Sequence, residues 1–346
     1  MEWWPNGKQA ASADAASRDP SLSVALCTYN GARHLPEQLE SLAAQTCPPA
    51  EVVVCDDRST DGTADIVRDF AARAPFPVRL TVNPRNLGST RNFEEAIRRC
   101  RGEVIALCDQ DDVWLPHKLA RMAEVFAARP RVGLVFSDAA VVDEALRSVG
   151  HGLWDSFGFT PRMRRRVRRG GAFELLMGRN LVTGATMAFR TAFRDAALPV
   201  PEGTGRIHDG WIALVVAALA EVALLEEPLV LYRQHSAQQV GAGVPAEWEK
   251  PLGEKVRLSR RAAPAGYREQ AAALERLRAC LAERAGSAAA ALPRVDAKLA
   301  NLRARAAMPR RLPARVPRVA RELLSGRYHR YAEGVFSAAR DLLVRP

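Results

Sequence analysis

From residue 21 the apolar positions fall into two alternating rhythms. Short apolar runs occur at 22–27, 51–55, 78–82 and 103–108, and 51–55 (EVVVC) is also β-branched. Runs of this length and composition predict strands. The stretches between them carry helical spacing. Residues 37–44 share a stripe with Leu35, Leu39, Leu42 and Ala43. Residues 61–73 follow Ser59 and Thr60, either of which can serve as N-cap. Residues 89–101 place Phe93, Ala96, Ile97 and Cys100 on one face, and 116–128 open with Pro116 in the first turn. Strand and helix alternate four times. That order predicts an α/β fold with a mostly parallel sheet covered by helices on both faces.

After Pro130 the alternation loosens. The pattern predicts strands at 132–136, at 181–189 around Gly184 and at 227–232, with one apolar helix over 209–225. That helix would reach ~22 Å, short of the ~30 Å hydrocarbon core of a bilayer, and reads as a buried helix. Beyond Gly243 the chain turns to Ala, Arg and Leu at helical spacing. A helix over 265–285 carries Leu274, Leu277 and Leu281 in a stripe and ends at Gly286 as its C-cap. A second stripe holds Val335, Phe336, Ala339, Leu342 and Leu343. The expected organisation is a flexible segment 1–20, an α/β domain 21–245 and a helical extension 246–346.

Charge sharpens that division. Of 346 residues 48% are apolar and 26% charged, which excludes a wholly disordered or collagen-like chain. Residues 1–245 carry 28 basic and 29 acidic side chains, whereas residues 246–346 carry 22 and 10. The whole positive excess lies in the extension, so the two parts are expected to meet different partners. Six cysteines are too few for a disulfide scaffold and show no CxxC pair. Cys27, Cys55 and Cys108 each end a strand-like run, as core thiols in a reducing compartment would. Residues 1–19 contain no apolar stretch of the kind a secretory signal needs. The expected location is the cytoplasm, with peripheral attachment at the inner face of the plasma membrane as its extension.

Open parallel sheets bind ligands at the carboxyl ends of their strands. Here those ends run into Thr28-Tyr29-Asn30-Gly31, into Asp56-Asp57-Arg58-Ser59-Thr60-Asp61-Gly62 and into Asp109-Gln110-Asp111-Asp112. Carboxylates gathered on one edge need a counter-charge, and an oxygen-ligated divalent cation, Mg²⁺ or Mn²⁺, supplies one. Asp56 and Asp57 alone also fit a solvated turn. Neither GxGxxG nor GxxxxGK[ST] is present, so backbone cradling of a dinucleotide or of ATP is not expected. Residues 86–92 (NLGSTRN) open a helix with Arg91 near its start, which suits an anion, although a plain capped loop has the same composition.

The segments Cys-Thr-Tyr-Asn-Gly (27–31), Asp-Asp-Arg-Ser-Thr-Asp-Gly-Thr (56–63), Asn-Leu-Gly (86–88) and Asp-Gln-Asp-Asp-Val-Trp (109–114) together resemble the N-terminal half of family 2 glycosyltransferases. Gly-Ala-Thr-Met (184–187), His-Asp-Gly-Trp (208–211) and Tyr-Arg-Gln-His (232–235) fit the same family, so the resemblance covers residues 21–240. The 109–114 and 232–235 segments resemble its rhamnosyltransferase-like branch. The resemblance implies a GT-A-type, Rossmann-like sheet and metal-dependent, inverting transfer of a sugar, rhamnose by the branch, from a UDP- or dTDP-sugar. The implied acceptor is a glycan or lipid-linked sugar of the cell surface. Residue by residue, it implies that Thr28, Tyr29, Asn30, Asp57, Asn86, Arg91 and Asp109 bind the nucleotide. Tyr29 would stack near the base, Asp57 would accept the base N–H and Asp109 would lie near the ribose. Asp111 would ligate the metal, His235 would complete that site, Arg91 or Arg233 would steady the diphosphate, and Asp209 would be the general base. His235 also fits a structural histidine closing a strand, and Asp209 an N-cap. Gly210 departs from the bulkier residue of many relatives.

Residues 162–169 hold six arginines. Such a run is a solvated face or a contact for an anionic membrane or phosphorylated lipid. Two other classes compete with the enzyme: a basic nucleic-acid or membrane binder, and a metal-dependent nucleotidyltransferase. The extension has few aromatics and no nucleic-acid motif, so nucleic acid is not an expected partner. Strand one ends in Thr-Tyr-Asn-Gly, not in the Gly-rich basic loop of nucleotidyltransferases.

Overall fold

The computed structural model describes residues 19–235, 264–283, 291–309, 311–332 and 334–343. The expectations for the first 18 residues, for a boundary at 245 and for Gly286 lie outside these. The chain forms two compact units. One comprises Met1–Gly170, Leu181–Val200 and Ile207–Gly243, and the other Gly171–Asn180, Pro201–Arg206 and Val244–Pro346.

The first unit is built on β1 (Leu22–Thr28), β2 (Glu51–Asp56), β3 (Val78–Val82) and β4 (Val104–Asp109), alternating with α1 (Leu35–Ala43), α2 (Thr63–Ala71) and α3 (Ser89–Arg99). There follow β5 (Val113–Trp114), α4 (Lys118–Ala128), β6 (Val132–Val142), β7 (Ser148–Gly152), α5 (Leu153–Ser156) and α6 (Pro161–Arg168). After α7 (Ala172–Leu176), which belongs to the second unit, come β8 (Met187–Arg190), α8 (Arg194–Ala197), α9 (His208–Leu219) and β9 (Glu221–Arg233). The sheet order is β3-β2-β1-β4-β8-β6-β9-β5, with β7 paired to β6. The first four strands are parallel, β8 is antiparallel to both β4 and β6, and β6 and β9 are parallel. This is the mostly parallel, helix-flanked sheet that the alternation predicts. Every residue of β1 and β2 is buried, as strands covered on both faces require.

The structure corrects four details of the pattern. The apolar stretch 209–225 is a helix and a strand: the backbone turns extended at Ala220, and Val222 to Leu225 pair with β6. A stretch apolar on all sides carries no period that separates these states. The expected strands at 181–189 and 227–232 are a 3-10 turn (Gly184–Thr186) leading into β8, and the end of the 13-residue β9. Helix α2 is preceded by Gly62 at φ 89°, not capped by Ser59 or Thr60. Pro116 precedes α4 instead of occupying its first turn. The thiols of Cys27, Cys55, Cys100 and Cys108 are buried and free, and burial pushes Cys100 up to about 12.

The second unit pairs α10 (Pro264–Glu283) with α11 (Leu292–Ala306), burying Leu274, Leu277 and Leu281 on one and Val295, Leu299 and Leu302 on the other. It continues through α12 (Leu312–Leu324), α13 (Arg327–Tyr331) and α14 (Val335–Leu343). Among the described residues no helix is long and apolar enough to cross a membrane.

Gly102 fixes how closely the chain entering β4 approaches β1. Its N–H donates to Ser23 Oγ at 2.8 Å, and a Cβ there would stand 2.8 Å from the backbone oxygen of Ser21 and 2.8 Å from the backbone nitrogen of Ser23. Backbone cannot yield cheaply, so Gly102→Ala is expected to cost about 1–3 kcal/mol in urea unfolding, the range for overpacking.

Candidate active site at the strand ends

Register sets the edge. Cys27 lies beside Cys55 on one side and Asp109 on the other, and Thr28 lies beside Asp56. Thr28 is buried and its Oγ1 donates to Asp56 Oδ2 at 2.8 Å. Asp56 also accepts from the backbone and hydroxyl of Ser59 at 2.8 and 2.5 Å. The first aspartate of the pair therefore buckles its own loop. Asp57 holds the neighbouring loop instead. Its Oδ1 accepts from Leu87 N at 2.8 Å and Asn83 Nδ2 at 2.9 Å, and its Oδ2 from Gly88 N at 2.8 Å. Buried Asn92 backs this arrangement, accepting from Asn83 Nδ2 at 2.9 Å and donating to the Cys55 carbonyl at 2.8 Å. Asn86 is exposed beside Asp57, and Arg91 pairs with Glu94 at 2.7 Å. Asn86 and Arg91 line one cavity of ≈ 420 Å³.

The loop after β1 is clamped from strand four. Gln110 accepts from Tyr29 N at 2.8 Å and donates to Tyr29 O at 3.0 Å. A Cβ on Gly31 would lie 2.1 Å from Gln110 Oε1, so glycine is what lets this amide close in. Asn30 adopts φ 46° and ties the β1 and β2 loops together, donating its N–H to Ser59 Oγ and accepting from Thr60 N at its Oδ1. The Tyr29 ring is left 49% exposed.

Asp109, Asp111 and Asp112 crowd the end of β4. Burial, together with the charges of Asp111 and Asp209, pushes Asp109 up to about 7. Burial and the charges of Asp111 and Asp109 push Asp112 well above the carboxylate range, and its Oδ2 is buried without a hydrogen-bond partner. Two cations answer them. Lys118, fully buried, donates to the Ala185 carbonyl at 2.5 Å and stands 3.2 Å from the centre of the Trp114 ring. Burial brings it down to about 7, against the upward pull of Cys108, Asp112 and Asp109. Arg233, also buried, donates its N–H to Asp112 at 3.0 Å, its Nε to the Asp111 carbonyl at 2.8 Å and one Nη to the Glu144 carbonyl at 2.6 Å, and pairs with Glu37. With its guanidinium so occupied, Arg233 holds the 111–112 segment in place rather than facing a diphosphate.

His235 Nε2 lies 2.8 Å from Asp111 Oδ2, so these two distant positions meet. The His34 ring stands 5.0 Å from that of His235, and burial with the charge of Arg233 keeps it below the usual imidazole range. Among the described residues no group of three or more His, Cys, Asp or Glu side chains forms a metal cage. One carboxylate and one imidazole still suit Mg²⁺ or Mn²⁺, which commonly complete their shells with phosphate oxygens and water.

Asp209 stands in the first turn of α9, whose N-cap is Ile207, so it is not the cap. It is 7% exposed and receives Gly184 N at 3.1 Å and Gly210 N at 2.5 Å. Gly184 passes close: a Cβ there would lie 3.3 Å from His208 Nε2. His208 stacks on Phe93 at 4.0 Å, and burial keeps it below the usual imidazole range. Trp211 anchors the helix by donating to the Ala197 carbonyl at 2.7 Å.

Sequence reading misses Lys118, Gln110 and the Asn83–Asn92 pair. A lysine opening a helix reads as solvated, and only the fold reveals what stands behind it.

Removing Lys118 leaves the buried Ala185 carbonyl without its donor. Lys118→Met is expected to lower the unfolding free energy by about 1–3 kcal/mol in denaturant titration. His208 is neutral in the fold and takes up a proton only on unfolding. Stability is therefore lost as pH falls below the unfolded imidazole pKa, with a slope of up to about 1.4 kcal/mol per pH unit. Melts between neutral pH and pH ~5 should show a smaller decline for His208→Asn.

The model of glycosyl transferase family 2 matches residues 23–190. An uncharacterized protein of Mycobacterium tuberculosis (strain ATCC 25618 / H37Rv) is 30% identical over 217 residues, 62% of this chain and 59% of its own length. An uncharacterized glycosyltransferase of Nostoc sp. is 30% identical over 220 residues, 62% of this chain and 65% of its own. The chain thus spans about three fifths of the length of these curated relatives. Among solved structures, TarS 1–349 of S. aureus in complex with UDP-GlcNAc superposes with TM-score 0.55 at 16% identity, covering 93% of this chain and 88% of that one. The mannosyltransferase PcManGT of Pyrobaculum calidifontis, in complex with GDP-Man and Mn2+, gives 0.50 at 21% identity, covering 94% and 81%. Sheet, motifs and family model agree in what they resemble: residues 23–190 are similar to glycosyltransferase family 2, and the fold is GT-A-like.

Proposed function

We propose that this chain transfers a sugar from a nucleoside-diphosphate donor to an acceptor hydroxyl, with inversion at the anomeric carbon. The observation that carries the reading is the meeting of Asp209 with the acids of strand four: its charge reaches Asp109, two positions from the Asp111–His235 pair. A base and a metal-ligating pair thereby flank one strand end.

The chain's own groups then divide the work. The exposed Tyr29 ring offers a stacking face for the base. A carboxylate has about four acceptor sites, and three of those on Asp57 are taken, leaving one on Oδ2 for a base N–H. Asp109, at the end of β4, is assigned to the ribose. Thr28 and Asn30 shape the loop that presents Tyr29, and Asn86 and Arg91 line the neighbouring cavity as polar and cationic contacts for the nucleotide. Asp111 and His235 would hold Mg²⁺ or Mn²⁺, which supplies positive charge against the leaving diphosphate. Asp209 takes the proton of the acceptor hydroxyl as that oxygen attacks. The N–H groups of Gly184 and Gly210 aim and hold its carboxylate.

TarS with UDP-GlcNAc and PcManGT with GDP-Man and Mn2+ support the nucleotide-sugar class and the cation. A UDP- or dTDP-sugar is the favoured donor. Rhamnose is the sugar favoured by segments 109–114 and 232–235, and a glycan or lipid-linked sugar is the favoured acceptor. Residues 21–245 form the catalytic part in this reading, and residues 246–346 its basic extension.

Asp209→Asn is expected to reduce transfer by about 10²–10⁴-fold with donor affinity unchanged. A loss under about tenfold, with binding intact, overturns the base assignment. Proton NMR of the first-formed glycoside should show the anomeric configuration opposite to the donor's.

A further inference from the structure

In the second unit two helices carry their polarity reversed. At about 100° per residue, Leu312, Pro313, Val316, Pro317, Ala320 and Leu324 of α12 share an arc of roughly 140° that holds no charge. All six are exposed, Leu324 at 89%. The opposite side of α12 buries Arg315 and Glu322 with Val319. Helix α14 repeats the arrangement. Val335, Phe336, Ala339 and Leu343 face out, Phe336 at 66%, whereas Ser337, Ala338 and Asp341 are buried. The two helices pack against each other.

The buried charges are fully engaged. Asp341 accepts from Arg305 Nε at 2.6 Å, Tyr328 OH at 2.8 Å and Tyr267 OH at 3.2 Å. Arg315 donates to the carbonyls of Pro309 at 2.6 Å and Leu342 at 3.0 Å. Glu322 accepts from Asn301 at 3.0 Å and Arg327 at 2.9 Å. This network fixes which face each helix turns outward. A helix whose outer face meets only water shows the reverse pattern. Six of the ten exposed large apolar side chains among the described residues lie on α12 and α14. Their concentration on two packed helices marks an interaction surface.

Charge selects the partner. The segment 311–332 holds six arginines against the single acid Glu322; Arg311, Arg318 and Arg321 are exposed, and Arg321 lies about 40° from the edge of the apolar arc. A second copy would bring the same basic extension, 22 basic to 10 acidic side chains, against itself and be repelled. An apolar face bordered by Arg321 on a strongly basic segment matches the boundary between acyl chains and anionic headgroups.

We propose that the α12–α14 face docks on an anionic lipid bilayer, with Leu324 and Phe336 entering the acyl boundary and Arg321 meeting headgroup phosphates. This holds whether or not the sheet edge transfers a sugar. Co-sedimentation of the full chain with phosphatidylcholine vesicles, with and without phosphatidylglycerol, tests it. The native chain is expected to bind the mixed vesicles at least about tenfold better than the neutral ones at low salt, and to bind less as salt rises. The doubly substituted Leu324→Glu, Phe336→Glu chain, folded by far-UV circular dichroism because both sites are exposed, should lose about tenfold or more of that binding. Emission of a Phe336→Trp chain should shift to the blue on the mixed vesicles. A native chain left in the supernatant at low salt overturns the proposal, as does a double variant that binds like the native chain. Self-association of the native chain that the double variant abolishes assigns the face to a second copy and overturns it too.

Discussion

Crowding three carboxylates at the end of β4 is possible only because cations are buried beside them. Lys118 stands behind Asp109 and Asp112, and Arg233 grips the 111–112 segment through its own backbone and its guanidinium. Each is a charge taken out of water, which is costly unless its partners are well placed. Position here follows from the fold: α4 delivers Lys118 to the Ala185 carbonyl, and the last residue of β9 is Arg233. The balance is incomplete, since burial and the neighbouring acids still push Asp109 up to about 7 and raise Asp112 as well. An acidic edge only partly neutralised from within retains attraction for a further cation from outside.

Much of this was legible in the residues. The four strand–helix alternations specify the parallel half of the sheet, because burial on both faces leaves continuous apolar runs. The acids at the strand ends mark the edge, and the order of the motifs carries the resemblance to glycosyltransferase family 2. Illegible were the features that depend on depth. Asp56 and Asp57 are adjacent and alike, yet one buckles its own loop and the other holds residues 87 and 88. Only the fold separates them. Lys118 reads as a surface cation, and Arg233 as a diphosphate contact, until the packing around them is known. The stretch 209–225 conceals the change from α9 to β9 because apolar residues on every side have no period.

The two compact units use charge in opposite ways. In the first, acids gather at one sheet edge and buried cations restrain them. In the second, a buried network of Arg305, Asp341, Arg315 and Glu322 turns apolar side chains outward. The run of arginines on α6 follows a third pattern: Arg164 covers the ring of Trp154, Arg168 pairs with Glu226, and Arg162, Arg165 and Arg169 are exposed. Much of that run is a solvated face. The positive excess of the sequence is thus spread over surfaces of different kinds.

The edge is tested most directly by thermal shift of the purified chain with UDP, dTDP and GDP, each with and without Mn²⁺. Ligand at a hundredfold its Kd adds about 2.7 kcal/mol to native stability, enough for a clear rise in Tm. If Asp111 and His235 hold a cation that bridges to a diphosphate, at least one nucleotide will raise Tm with Mn²⁺ and fail to do so without it. Equal shifts with and without the metal, or no shift with any nucleotide, would contradict a cation-dependent edge.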